Sequence, residues 1–106
     1  MKRPLNLRLT ETAEKDLAEI WSYLALEASE TIASELLSNI AAKLDEVLRF
    51  PLCGASRFHL AANLRVIFDG NYAIYYLPRR SEIVIVRVLH GSRDISAMVD
   101  REGFSD

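Results

Sequence analysis

Apolar and polar residues alternate along Leu5-Asn6-Leu7-Arg8-Leu9, the pattern of a half-buried strand. The period then changes. Thr10 stands where an N-cap belongs, and Glu11 and Glu14 fall in the first turn, where acids suit the helix dipole. From there Ala13, Leu17, Ile20, Trp21, Leu24 and Ala28 recur at helical spacing, predicting a first helix over 11–28. Ser29 is a second N-cap candidate. The face Ala33, Leu36, Leu37, Ile40, Leu44, Val47 and Leu48 predicts a second helix over 30–49, stopped by Pro51. So short a connection forces the two helices antiparallel.

The second half reads as strands. Residues 51–56 predict a loop, and the stretch up to Ala62 has no clear period. Strands are expected over 63–68, 71–77 and 82–89, with Asp69-Gly70 as a tight-turn signal and Pro78-Arg79-Arg80-Ser81 as the next turn. The expected fold is α+β, in the order β-α-α-β-β-β, with a helical hairpin on one face of a small, mainly antiparallel sheet. One domain over 1–98 and a polar tail over 99–106 are expected.

The last strand is apolar on both alternate sets. Val84, Val86 and Val88 share one side by alternation, and Ile83, Ile85, Arg87 and Leu89 share the other. On the strand expected over 63–68, Arg65 shares a side with Ile67. If the valine side meets the helices, both arginines and the isoleucines lie on a face that needs other cover.

Composition adds limits. A chain of 106 residues that is 50% hydrophobic and 26% charged fits one ordinary globular core. No apolar run is long enough for a membrane span, and Met1-Lys2-Arg3-Pro4 is followed by no apolar stretch of the kind a signal peptide needs. Cys53 is the one cysteine, which rules out an internal disulfide and fits a reducing, cytoplasmic setting. A net charge of -2 hides an uneven distribution. Residues 10–50 hold nine acids against Lys15, Lys43 and Arg49. Residues 51–98 hold six arginines and no lysine, against Asp69, Glu82 and Asp94. Simple solubility accounts for such an imbalance; so does a division into scaffold and polar contact surface.

Candidate chemistry gathers at the end of the last strand, in Arg87-Val88-Leu89-His90-Gly91-Ser92-Arg93-Asp94-Ile95. Arg65 and Arg87 are either edge residues with packed stems or parts of one contact surface. His90 at a strand end is more ordinarily a hydrogen-bonded structural residue than a general acid. Arg93 either pairs locally with Asp94 or touches a target. One cysteine and two separated histidines make no metal ligand set, and there is no phosphate-binding glycine loop, nucleophile elbow or dinucleotide fingerprint. No cofactor is expected.

Taken in order, several stretches resemble the RelE/ParE superfamily of toxins from bacterial toxin–antitoxin pairs, and within it the ParE, or plasmid-stabilisation, branch. They are Leu9-Thr10, Asp16-Leu17 with Ile20-Trp21 and Tyr23-Leu24, Pro51 with Gly54 and Arg57, Leu64-Arg65, Tyr72 with Ile74-Tyr75-Tyr76, and residues 87–95. The resemblance implies a type II toxin that inhibits DNA gyrase without being an enzyme. The RelE branch instead cleaves messenger RNA on the ribosome. In that alternative Arg65 would stabilise phosphate and His90 would act as general acid. The lysine-rich cluster of that branch is missing, no tyrosine follows His90, and the chain is net acidic. An inactive member surviving as an antitoxin-binding or repressor component is a third reading.

The resemblance also implies a cognate antitoxin, ParD-like or similar, and no sequence-specific DNA binding by this chain. Arg65, Arg87, His90 and Arg93 are the candidates for target contact. Trp21, Leu24, Ile67, Ile83, Ile85 and Leu89 are the candidates for antitoxin contact, and the antitoxin segment is expected to bring acids near Arg65 and Arg87.

Overall fold

The computed structural model describes residues 5–91. The elements are β1 (Asn6–Leu9), α1 (Glu11–Glu27), α2 (Glu30–Arg49), β2 (Ala55–Ser56), β3 (Arg65–Asp69), β4 (Tyr72–Pro78) and β5 (Glu82–His90). They form one mixed sheet in the order β1-β5-β4-β3-β2. The α+β fold with a helical hairpin is as expected. The expected tail over 99–106 lies outside the described residues.

The helix starts are built as the sequence suggests. Thr10 Oγ1 accepts from Ala13 N at 3.1 Å, and Ser29 Oγ accepts from Ile32 N at 3.1 Å. Such caps contribute about 1 kcal/mol each. In the β3–β4 hairpin, Asp69 pairs with Tyr72 across a two-residue loop. Gly70 takes a φ of 57° at the first loop position, where other L residues are disfavoured.

Three features of the sheet are additional to the expected pattern. β1 returns to the far edge and pairs parallel to β5, Asn6 opposite Glu82 through Leu9 opposite Ile85. Within the expected loop, Ala55 and Ser56 pair with Val66 and Arg65 as a short edge strand. Two residues are too few to show alternation. The β4–β5 register also shifts between Tyr75 and Tyr76, so Tyr75 faces Arg87 while Tyr76 faces Ile85. The extra residue is Val86, and beyond it the alternation is offset by one.

These features overturn the expected sidedness. Ile83 and Ile85 are fully buried in the helix-side core with Ala13, Ile40, Leu44, Val47, Ile74 and Tyr76, and Ile67 packs against that cluster. Val84 and Val86 belong to a second core with Leu64, Val66, Ala73, Tyr75 and Leu77. After the bulge Val88 joins the helix side and Leu89 the other core. Alternation tells which residues share a side, not which side the helices take, and the bulge breaks the parity that linked Leu89 to Ile83. The second core is no open apolar patch either: its members are at most 7% exposed, with Leu60 and Ala61 packed against them.

No helix among the described residues is long and apolar enough to cross a membrane.

Candidate partner-binding site

β1 stops pairing at Leu9, opposite Ile85, but β5 continues to His90. That leaves a stretch of strand edge, and unpaired edge groups are costly when buried. The start of α1 takes it over. Thr10 N donates to Ile85 O at 3.0 Å, Thr10 Oγ1 donates to Val86 O at 3.2 Å, and Val88 N donates to Asp16 Oδ2 at 3.0 Å. The same carboxylate receives Arg87 in a two-pronged pair, Nε to Oδ2 at 2.8 Å and Nη2 to Oδ1 at 2.9 Å. Arg87 is 4% exposed and Asp16 9%. A planar fork on a carboxylate that also caps a backbone N–H is a strong, directional arrangement.

Arg87 is therefore a tie between helix and sheet, and its guanidinium is not presented at the surface. Asp16 is a site residue that the candidates named from the sequence do not include. The signal was available: an acid three residues after Ala13 and next to Leu17 falls on the apolar face, and a buried acid needs a cation.

Beside this tie lies a groove of about 780 Å³. α1 contributes Asp16, Glu19, Ile20, Tyr23 and Leu24, the start of β4 contributes Asn71 and Tyr72, and the end of β5 contributes Val88, Leu89 and His90. His90 meets Tyr72 edge to face, ring centroids 5.3 Å apart. Burial pushes the Tyr72 hydroxyl pKa up, and the nearby Tyr23 phenol adds to the rise. Tyr23 itself is 63% exposed at the rim.

A second corner holds Arg65. Its Nη1 donates to Gly54 O at 2.8 Å and reaches Leu52 O at 3.4 Å, and its guanidinium lies 5.6 Å from the Phe58 ring centroid. Tyr76 closes the same corner from beneath: Gly54 N donates to Tyr76 Oη at 2.9 Å, and Tyr76 Oη donates to Pro51 O at 2.9 Å. Burial raises the Tyr76 pKa, opposed by the Gly54 N–H. A Cβ on Gly54 would lie 2.6 Å from Tyr76 Oη and 2.8 Å from Val66 O, so only glycine fits the corner.

Arg65 and His90 are not brought together. Arg65 pairs across from Tyr76 and His90 across from Tyr72, on opposite sides of β4. That separation is roughly 13 Å along the strand and about 10 Å across it. Arg93 lies outside the described residues.

Of the apolar candidates, Leu24 lines the groove, and Trp21 lines a shallow cleft with Leu17, Ala18, Ser22 and Leu37 between the helices. Ile83 and Ile85 have no exposed surface, and Ile67 is packed under the helices, so the expectation of an open isoleucine face is corrected. Leu89 is 3% exposed, on the groove wall.

The fold defined by these elements, a helical hairpin on a five-stranded mixed sheet, is shared with solved toxin–antitoxin structures. One is the chromosomal ParDE system from P. aeruginosa, with a TM-score of 0.71 and 18% identity, covering 82% of this chain and 96% of that chain. Another is the RelBE2 toxin–antitoxin complex from Mycobacterium tuberculosis, with a TM-score of 0.60 and 23% identity, covering 83% of this chain and 99% of that one. Identities this low show the fold alone. A search of the curated proteins returns no match. The family described as the ParE toxin of the type II toxin–antitoxin system, parDE, matches residues 7–95. The chain belongs to the ParE toxin family, within the RelE/ParE superfamily.

Proposed function

We propose that this chain is the toxin of a type II pair, held inactive by a cognate ParD-like antitoxin, and that once free it inhibits DNA gyrase in the cytoplasm. The observation that carries the reading is the family match over residues 7–95, on a fold shared with toxin–antitoxin structures. Gyrase as the target rests on that kinship. The geometry supplies a further argument. The RelE-like alternative needs Arg65 and His90 on one scissile phosphate, and they stand at opposite ends of β4, with Arg65 engaged by Gly54 O.

The target-contact set in this reading is Arg65, His90 and Arg93. Arg87 leaves the set because Asp16 occupies its guanidinium. Trp21 and Leu24 remain on the antitoxin side. Purified toxin should inhibit supercoiling by gyrase or stabilise its cleavage complex. The absence of both effects at excess toxin would refute the gyrase assignment. Primer extension on messenger RNA after induction separates the alternative: cuts that vanish in His90→Ala would establish a nuclease. Expression without the neighbouring gene should arrest growth, and normal growth would favour an inactive member of the family.

A further inference from the structure

The groove between α1 and the ends of β4 and β5 is acidic in its described lining. Among the described residues its lining contains Asp16 and Glu19 but no lysine or arginine. Asp16 is neutralised by Arg87 and accepts three hydrogen bonds. Glu19 is exposed and makes no hydrogen bond or ion pair with any described residue. The aromatic side chains of Tyr23, Tyr72 and His90 stand around it, and Ile20, Leu24, Val88 and Leu89 form apolar walls. Carboxylate, phenol rings and apolar walls in one concave site suit a guanidinium: the acid pairs with it, ring faces attract it, and the walls cover its methylenes.

The far end of β4 and β5, with the β2–β3 corner, has the opposite character. Arg79 and Arg80 are exposed in the β4–β5 turn, at the other end of the same two strands, while Arg57 follows β2 and Arg65 opens β3. An acid-rich segment would be drawn to that end and repelled from the groove. The groove volume of about 780 Å³ accommodates one long side chain with its apolar neighbours.

We propose that this groove receives an arginine, flanked by apolar residues, from the antitoxin segment that covers the toxin. The proposal rests on the antitoxin reading above. It reverses the expected sign of the partner at this end of the sheet: Arg87 is neutralised from within by Asp16, so the partner supplies the cation and the toxin the acid.

Two peptides, acetyl-Leu-Arg-Ala-Leu-amide and its Gln counterpart, serve as probes, followed by amide NMR on the full chain. The arginine peptide should shift Glu19, Tyr23, Tyr72 and His90 and bind at least about 3-fold more tightly than the glutamine peptide. Glu19→Gln should abolish that preference, Tyr23→Ala should weaken it, and Arg80→Gln should leave it intact. Equal binding of the two peptides, no shifts at the groove, or a preference retained in Glu19→Gln would overturn the proposal.

The second measurement is the affinity of the toxin for the antitoxin encoded beside it. Glu19→Gln should weaken the complex by about 3- to 10-fold. A wild-type complex indifferent to both Glu19→Gln and Tyr23→Ala overturns the groove assignment and leaves the antitoxin reading standing. No complex with the wild type overturns that reading itself.

Discussion

Arg87 and Arg65 sit on strands flanking β4, and each anchors a corner of the sheet, yet the corners differ in kind. Arg87 is 4% exposed and locked onto a carboxylate that reaches across from α1. Arg65 is half-buried, holds backbone carbonyls of the 52–54 segment, and keeps one side against Phe58. A buried charge that loses its bidentate carboxylate partner is stranded, whereas a half-buried guanidinium that loses a carbonyl turns to water. Two arginines with nearly the same sequence setting thus have different availability. What stands next to each in space decides whether it can meet a partner.

The sharpest way to break this contrast is to remove one member of the buried pair. Arg87→Ala or Asp16→Ala should cost about 3–5 kcal/mol, measured by urea denaturation. Loss of toxicity in Arg87→Ala would then reflect unfolding. The pair replaced together by apolar residues of similar volume should recover much of that loss. A single Arg87→Ala variant that melts like the wild type would refute the structural role.

The Tyr76 corner should respond less. Tyr76→Phe strands Gly54 N and Pro51 O and should cost about 1–3 kcal/mol. Gly54→Ala should cost a similar amount, about 1–3 kcal/mol, because its Cβ meets Tyr76 and the Val66 carbonyl.

Alkaline pH probes the tyrosines together. Burial raises the pKa of Tyr72, Tyr75 and Tyr76 in the folded state, so folding favours the neutral phenol. Their contribution to stability is complete below the ordinary tyrosine value of about 10 and is lost as pH rises through and beyond it. The urea midpoint should fall from about pH 10 upward, and absorbance titration should show three late phenols. Tyr76→Phe should flatten the fall.

Arg65→Ala should cost only about 1 kcal/mol. Growth arrest lost at intact stability would make Arg65 a contact residue. His90→Ala, at an exposed strand end, removes the edge-to-face contact with Tyr72 and should cost only about 1 kcal/mol, so a complete loss of toxicity there reports on the partner or target.

Much of the fold was legible along the chain. Thr10 and Ser29 announced both helix starts, Pro51 the stop, and Asp69-Gly70 the hairpin. These are local signals: a cap or a turn satisfies backbone groups within a few residues, so the residue types that do so are visible in order. The family resemblance was legible for the same reason, as ordered motifs over nearly the whole chain.

Three-dimensional packing decided the rest. Periodicity grouped Ile83 with Ile85 and Val84 with Val86, but a strand pattern is symmetric between its two faces, and the connection of β1 to the far edge was needed to place the helices over the isoleucines. The bulge at Val86 shifted Val88 and Leu89 to opposite sides by inserting one residue without any mark in composition. The partnership of Asp16 with Arg87 joins residues 71 apart in sequence. The sequence supplies the two charges and their apolar surroundings, but only the meeting of α1 with the unpaired edge of β5 makes them neutralise each other and leaves Glu19 as the acid without a cation in the groove's described lining.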